Sequence, residues 1–254
     1  MKTVSLSSDG IYAGNLILVN QKYPYKETHT DIRLTPVGTF DSNVLLERQY
    51  AAIYTKLMDE LNAWGQITAT SGWRSQQEQE QIYNESLSEN GADFTGKYVA
   101  LPEHSEHQTG LAVDLALNQP DIDALRPYFP YAGICDAFRK KAGQYGFIER
   151  YPKGKESITG IAYEPWHFRY VGAPHSTIMN RTGETLEEYH VRLKQFDYGR
   201  RPLEYDLGAS TIEISYLVAD EETTAFEMED DAIYMVSGNN MDGFIITVWR
   251  ERRW

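Results

Sequence analysis

The chain has 254 residues, of which 41% are hydrophobic, so it can bury the core of one large domain or of one domain with a smaller companion. Its 24 Lys and Arg residues against 37 Asp and Glu residues give a net charge of −13, which argues against nucleic acid and anionic membrane surfaces as partners. No run approaches the ~18 apolar residues of a membrane span, and the first residues show no secretory signal pattern, so we predict a cytoplasmic protein.

The first hundred residues are predicted to alternate short strands with helices. Hydrophobic periodicity predicts strands at 14–20 and 66–70 and helices through Leu46–Leu61 and about 76–87. Asp41 or Ser42 is the candidate cap of the first helix, and Gly65 is its predicted stop. Residues 88–104 contain turn-forming residues and are predicted to form a long loop before the first polar patch.

The first patch begins S-E-H-Q-T-G at Ser105 and continues into an apolar run from Gly110 to Leu117. This run predicts a buried strand entered through a glycine turn, and His107 lies just before it. Asp114 is the one charge in the run. Since a charge inside such a strand is costly unless it is paired or bound to a metal, Asp114 is a candidate ligand.

The second patch is Glu164-Pro165-Trp166-His167, which continues as an alternating stretch to Val171. Alternation places His167 and Arg169 on one face of a strand and the aromatic residues on the other. Pro165 cannot donate a ladder hydrogen bond, so it marks the predicted strand entrance, with Glu164 just outside the strand.

Together the two patches offer the donors of a catalytic zinc site. Such sites use three His, Asp or Glu ligands and keep a further position open for water. His107, Asp114 and His167 would hold one zinc ion per chain, and Glu164 would be free to act as a base. Taken singly, each residue also fits an ordinary hydrogen-bonded core.

These patches resemble the motifs of a known enzyme family. S-x-H-x-x-G-x-A-x-D followed by E-P-W-H is the pattern of zinc D,D-peptidases that cut D-alanyl-D-alanine, with a longer match to the vancomycin-resistance enzymes of the VanXY and VanY types. Further matching stretches are Gly14–Asn20, Ser71–Ser75, Tyr98–Pro102, Ile158–Ile161, Gly172–Ser176 and Leu186–Tyr189. The resemblance implies that His107, Asp114 and His167 bind zinc and that Glu164 is the general base.

The resemblance also implies roles for three further polar residues. Arg74 would stabilise the oxyanion of the tetrahedral intermediate, where a fixed guanidinium is worth several kcal/mol in a dry site. Ser105 and Gln79 would position the substrate. Ser75 and Glu78 form the S-x-x-E pattern of a capping box, so a helix is predicted to begin directly after Arg74 and to hold it in place.

The implied activity is zinc-dependent hydrolysis of the D-Ala-D-Ala dipeptide, removal of the terminal D-Ala from peptidoglycan pentapeptide precursors, or both, in glycopeptide resistance. The expected partners are small peptides that end in D-Ala-D-Ala. An L,D-carboxypeptidase or an endopeptidase on cell-wall peptides is the alternative within enzymes. A non-catalytic zinc-bearing binding module is the alternative outside them, although such a module need not keep both Glu164 and Arg74.

The remaining chain predicts two helices and then a tail of a different character. The helices are expected at about 133–145, ending at Gly146, and after Thr185, and the tail strands at 211–219, 224–228, 232–237 and 243–249. A sheet this small needs a partner surface. That surface is either the catalytic domain or a second copy of the chain in a homodimer.

We therefore predict an α+β fold in which a small central antiparallel sheet and flanking helices surround a zinc site. A small C-terminal antiparallel β appendage completes the chain. The predicted domains are residues 1–198 for catalysis and residues 199–254 for the acidic appendage.

Overall fold

The computed structural model describes residues 1–27, 32–38, 43–206 and 210–251. Helices within these residues are α1 Arg48–Glu60, α2 Gln76–Asn90, α3 Ala92–Tyr98, α4 Gly133–Ala142, α5 Glu156–Thr159, α6 His175–Thr182 and α7 Leu186–Leu193. Strands are β1 Lys2–Ser7, β2 Leu34–Pro36, β3 Leu45–Glu47, β4 Ile67–Ser71, β5 Ala112–Leu117, β6 Phe147–Tyr151, β7 Glu164–Tyr170, β8 Leu203–Asp206, β9 Ser210–Val218, β10 Thr223–Met228, β11 Ile233–Gly238 and β12 Gly243–Glu251. The predicted α+β class with antiparallel sheets is confirmed.

The described residues divide into two compact units. One unit contains Val19–Tyr25 and the residues up to Thr185, and the other contains Met1–Leu18, Lys26, Glu27 and the residues from Leu186 onward. The second unit thus includes the start of the chain as well as the predicted appendage. None of the helices described here is both long enough and apolar enough to cross a membrane.

The first unit is built on a four-stranded antiparallel sheet in the order β4-β5-β7-β6. Aromatic rings fill the core on one side of this sheet. Phe168 of β7 packs edge-to-face against Phe129 and Phe138, at centroid distances of 5.5 and 5.1 Å. Tyr54 of α1 also contacts Phe138, so α1 and α4 are fixed against the strand that carries His167.

Helix α1 begins later than its hydrophobic pattern predicts. Leu46 lies in β3, and the N-cap is Glu47, whose carboxylate accepts a hydrogen bond from the backbone nitrogen of Gln49 at 2.8 Å. The helix ends at Glu60, before Gly65. The predicted caps Asp41 and Ser42 lie outside the described residues.

The predicted loop at 88–104 is wrong. Helix α2 runs to Asn90, and α3 begins at Ala92, so only Gly91 separates them. Gly91 has φ 78°, a left-handed conformation that glycine adopts without steric cost, and it ends one helix while opening the next. The Asn-Gly pair therefore marks a sharp bend between two helices.

The predicted strand at 14–20 is also wrong. Leu16, Leu18 and their neighbours are buried as expected of an apolar run, but their backbone groups bond outside any ladder. The Leu16 nitrogen donates to Ser237 Oγ at 2.9 Å, and the Leu18 nitrogen donates to the carbonyl oxygen of Asn239 at 3.1 Å. The segment is an irregular strap held by residues more than 200 positions away.

The second unit contains a four-stranded antiparallel sheet in the order β11-β12-β9-β8 and a two-stranded sheet of β1 with β10. The tail strand at 223–228 therefore pairs with the start of the chain, with Lys2 opposite Met228. Phe226 and Met228 form a core cluster with Ile246 and Val248, so the two sheets share apolar side chains. The pattern of β10, with every second residue buried, is that expected of such packing.

Gly238→Ala should lower the stability of this second unit. A Cβ atom at position 238 would lie 2.2 Å from the carbonyl oxygen of Ile11 and 2.4 Å from that of Gly10, and backbone atoms cannot move aside cheaply. We expect a loss of about 2–3 kcal/mol and a melting temperature lower by roughly 4–10 °C, measured by calorimetry. Gly96→Ala is the control because a Cβ there meets nothing within 4 Å. An equal effect of both substitutions would contradict the close approach at 238.

Candidate active site

Three neighbouring elements bring the sequence-predicted ligand residues together. Asp114 on β5 lies directly opposite His167 on β7 in the antiparallel register. His107 comes from a 3-10 turn, Glu106–Thr109, that Gly110 closes with φ 71° before the chain enters β5. The predicted turn and strand thus form as expected, although β5 begins at Ala112.

The ligand atoms of these residues face one another. The distance from Asp114 Oδ2 to His107 Nε2 is 3.2 Å, and that from Asp114 Oδ1 to His167 Nδ1 is 2.9 Å. One ligand atom from each of the three residues lies within 4.8 Å of the other two, and all three residues are buried. Two imidazoles and a carboxylate at these separations can share one cation.

Hydrogen bonds to the other ring atoms support this use of the imidazoles. His107 Nδ1 lies 2.6 Å from the carbonyl oxygen of Gly72, which can only accept, so Nδ1 carries the proton and Nε2 faces Asp114. His167 Nε2 lies 3.4 Å from Glu106 Oε2, which leaves Nδ1 toward Asp114. A second partner on the far nitrogen is the usual arrangement of metal-binding histidines, so the donor set fits zinc.

The protonation of the cluster follows from burial and charge. Burial alone would raise the pKa of Asp114, but the imidazoles of His107 and His167 outweigh it and hold that pKa below its usual range. Burial works against protonation of His167, yet the Asp114 carboxylate raises its pKa to about 9. For His107, burial and then the charge of Arg74 lower the pKa.

Glu164 lies beside the cluster and is not one of the three residues that face one another. It is the first residue of β7, opposite Tyr151, so it lies inside the strand and not before it as predicted. Its Oε2 atom is 3.9 Å from His167 Nδ1. Burial raises the pKa of Glu164 to about 8, although a cation held by the neighbouring residues would act in the opposite direction.

Arg74 is held by three side-chain hydrogen bonds. Its Nε donates to Ser71 Oγ at 2.9 Å, its Nη1 to Gln79 Oε1 at 3.2 Å and its Nη2 to Asp114 Oδ2 at 3.3 Å. Its backbone nitrogen donates to the carbonyl oxygen of His107. Helix α2 begins just after it with the predicted capping box, in which Ser75 and Glu78 bond reciprocally. The guanidinium is therefore fixed at the edge of the His–Asp–His group.

Gln79 and Ser105 both line the same cavity, but their surroundings differ. Gln79 is buried, and while its oxygen accepts from Arg74, its amide nitrogen donates to the carbonyl oxygen of Ala100 at 2.8 Å. Gln79 thus braces Arg74. Ser105 is buried immediately before the 3-10 turn that carries His107.

A cavity of about 380 Å³ opens onto all seven predicted site residues. This volume lies within the range of small-ligand pockets, about 300–1,000 Å³. Helix α2 forms one wall, and Leu125 forms part of another. Trp166 was predicted to pack with the other aromatic residues of β7, but it lines the cavity, whereas Phe168 faces the core.

The sequence gave no role to a charged group behind His167. Glu106, Arg150 and Arg169 have side chains that are 0% exposed, and Glu106 pairs with both arginines. Burial alone would raise the pKa of Glu106, but the two arginines hold it below its usual range. One signal was available, because Arg150 and Arg169 are charges within otherwise apolar or aromatic strands.

An antiparallel sheet that presents a His–Asp–His group beside a buried carboxylate and a fixed arginine is the arrangement of a metal-dependent peptidase. Comparison with known proteins gives the family. Residues 43–173 match the VanY family of D-alanyl-D-alanine carboxypeptidases, and the chain belongs to this family. The resemblance seen in the motifs is confirmed.

Individual relatives extend the match beyond the catalytic motifs. The bifunctional D-Ala-D-Ala dipeptidase and carboxypeptidase VanXYC of Enterococcus gallinarum is 41% identical over 181 residues, which are 71% of this chain and 95% of that protein. The crystal structure of the vancomycin-resistance D,D-dipeptidase VanXYg with a D-Ala-D-Ala phosphinate analog is 47% identical, with a TM-score of 0.94 over 98% of this chain and 99% of that one. VanY from a VanB-type resistance cassette, solved with Zn(II), is 30% identical, with a TM-score of 0.58 over 69% of this chain and 98% of that one.

Proposed function

We propose that this chain is a zinc-dependent D,D-peptidase that hydrolyses D-Ala-D-Ala and removes the terminal D-Ala of peptidoglycan pentapeptide precursors. The observation that carries the proposal is the buried His107, Asp114 and His167 group, whose ligand atoms converge at the wall of a cavity. These three residues would hold one zinc ion per chain. The activities of VanXYC and VanXYg support the choice of substrate.

Zinc bound by these residues would supply Lewis acidity toward the scissile carbonyl and lower the pKa of water. Glu164 then takes the proton of the attacking water and returns it to the leaving amine of the terminal D-Ala. Its position suits this exchange, because the carboxylate is buried beside the ligands but is not one of them. A dry wall around it keeps the proton within the site.

Arg74 is proposed to stabilise the negative charge that develops on the carbonyl oxygen. Its guanidinium already faces Asp114 at the cavity wall, and bonds to Ser71 and Gln79 fix two of its three nitrogen atoms. A donor fixed before the reaction needs no reorganisation when the charge appears. Gln79 and Ser105 are proposed to position the substrate, and Gln79 does so while it braces Arg74.

Catalysis is proposed to reside in residues 1–198, with 199–254 as an appendage that contributes no catalytic group. Every proposed site residue lies between Arg74 and His167. In addition, 71% of this chain suffices to cover 95% of the bifunctional VanXYC. A role in glycopeptide resistance and a cytoplasmic location are part of the proposal, and the homodimer remains a prediction.

Substrate discrimination tests this function. We expect release of D-Ala from D-Ala-D-Ala and from a pentapeptide that ends in D-Ala-D-Ala, with at least tenfold lower kcat/KM on the D-Ala-D-lactate and D-Ala-D-Ser ends. A site that pairs the amide N–H of the last residue penalises an ester that lacks this donor by several kcal/mol, and a pocket fitted to a small methyl disfavours the serine side chain. The measurement is kcat/KM on matched peptides.

The same assay separates the alternatives. Equal rates on all three ends would remove the resistance role and leave a peptidase. Preference for an L-Ala-D-Ala end would favour the L,D-carboxypeptidase alternative. Zinc binding without hydrolysis of any peptide would favour the binding module and contradict the proposed function.

A further inference from the structure

Glu106 lies at the centre of a buried charged group behind the candidate metal site. Its Oε1 atom is 2.8 Å from Arg150 Nε and 2.7 Å from Arg169 Nη1, and all three side chains are 0% exposed. A buried carboxylate between two buried guanidinium groups stays ionised, since removal of either sign of charge would leave the other without compensation. The group therefore holds a fixed negative charge at one place.

The other carboxylate oxygen of Glu106 faces His167. Glu106 Oε2 lies 3.4 Å from His167 Nε2, while His167 Nδ1 on the opposite edge of the ring lies 2.9 Å from Asp114 Oδ1. The imidazole is thus held between two carboxylates. Only one of them, Asp114, belongs to the His–Asp–His group.

We infer that Glu106 is a positioning residue that accepts the Nε2 hydrogen of His167 and so turns the Nδ1 lone pair toward the metal site. A neutral imidazole has one donor and one acceptor nitrogen, and a partner on one nitrogen sets the tautomer. A flip of the ring would replace Nε2 by a carbon atom at Glu106 and forfeit this bond. The carboxylate selects both the tautomer and the ring orientation.

The location of Glu106 in the chain links two ligands. It is adjacent to His107 in the 3-10 turn Glu106–Thr109, so one turn supplies a candidate ligand and also orients the ligand that β7 supplies. Arg150 on β6 and Arg169 on β7 anchor the turn to the sheet. The positions of His107 and His167 are thereby coupled before any metal binds.

This inference rests on the proposed metal site and not on the choice of peptide. Its test is the zinc dissociation constant, measured by competition with a chromophoric chelator, for the unmodified protein and for Glu106→Gln and Glu106→Asp. Glu106→Asp keeps the charge between the arginines but withdraws the carboxylate from His167 by one methylene. We expect both variants to bind zinc about 10–100-fold more weakly, which is the usual effect of removing such a partner.

Glu149→Gln is the matched control. Glu149 is also an arginine-paired and mostly buried carboxylate of the same sheet, but its partners are Arg139 and Tyr131. Its replacement should lower the melting temperature and leave zinc affinity within about twofold. A structural role for Glu106 alone predicts unchanged affinity in Glu106→Asp, and that result, or an equal loss in Glu149→Gln, would overturn the inference.

A second measurement decides the case if the Glu106 variants fail to fold. Ring nitrogen NMR of the unmodified zinc-loaded protein should show His167 protonated at Nε2 and bound to the metal through Nδ1. The reverse assignment would overturn the inference. Absence of zinc binding by the unmodified protein would instead refute the proposed metal site, so the two failures are distinguishable.

Discussion

Glu164→Gln should lower the turnover of D-Ala-D-Ala by roughly 10²–10⁴-fold, the usual contribution of a positioned acid–base group, and should leave zinc bound. The amide has nearly the shape of the carboxylate but cannot take a proton from water. The substitution also removes no ligand atom, since the three converging residues are His107, Asp114 and His167. Steady-state kinetics with zinc content measured on the same sample would check both parts.

The control for this substitution is Glu80→Gln on the exposed face of α2, which makes the same chemical change outside the cavity. It should retain normal turnover. Near-normal turnover in zinc-loaded Glu164→Gln would refute the role of the carboxylate as base. Loss of zinc from that variant would instead show that Glu164 acts as a ligand.

His107→Ala and His167→Ala should each abolish tight zinc binding and, with it, activity. Either change leaves only two of the three converging ligands, and catalytic zinc sites use three. His104→Ala is the matched control, because His104 is also close in sequence to the site but its Nδ1 bonds to the carbonyl oxygen of Asn20. Full zinc occupancy in both ligand variants, measured by elemental analysis, would contradict the assignment.

Zinc affinity should also depend on pH in a defined direction. The Asp114 carboxylate raises the pKa of metal-free His167 to about 9, so below that pH a proton competes with the metal for the imidazole. Apparent affinity should therefore rise as pH is raised toward 9, with proton release on binding. Calorimetric titrations in buffers of different ionisation enthalpy would measure that release, and affinity that fell with rising pH over this range would contradict it.

The converging ligands could be predicted because each had a local signature. Asp114 was a charge in an apolar strand, and His167 alternated with aromatic residues. Their register across β5 and β7 follows from antiparallel pairing once both strands are known. Local patterns also gave the capping box after Arg74 and most of the tail strands.

What the sequence could not show depends on contacts between distant residues. Glu106 meets Arg150 and Arg169 across 44 and 63 positions, and no periodicity marks such a pairing. The pairing of β1 with β10 spans almost the whole chain. The segment at Leu16 has the composition of a strand, but its backbone groups bond to a loop, because tertiary contacts override local propensity.

The central claim is that the chain hydrolyses D-Ala-D-Ala with zinc held by His107, Asp114 and His167. The most direct measurement is D-Ala release from D-Ala-D-Ala by one preparation before chelation, after chelation and after zinc is restored. The account predicts release that is lost with the metal and regained at about one zinc per chain. Release that persists in the fully zinc-free protein, or none at all from the zinc-loaded protein, would contradict it.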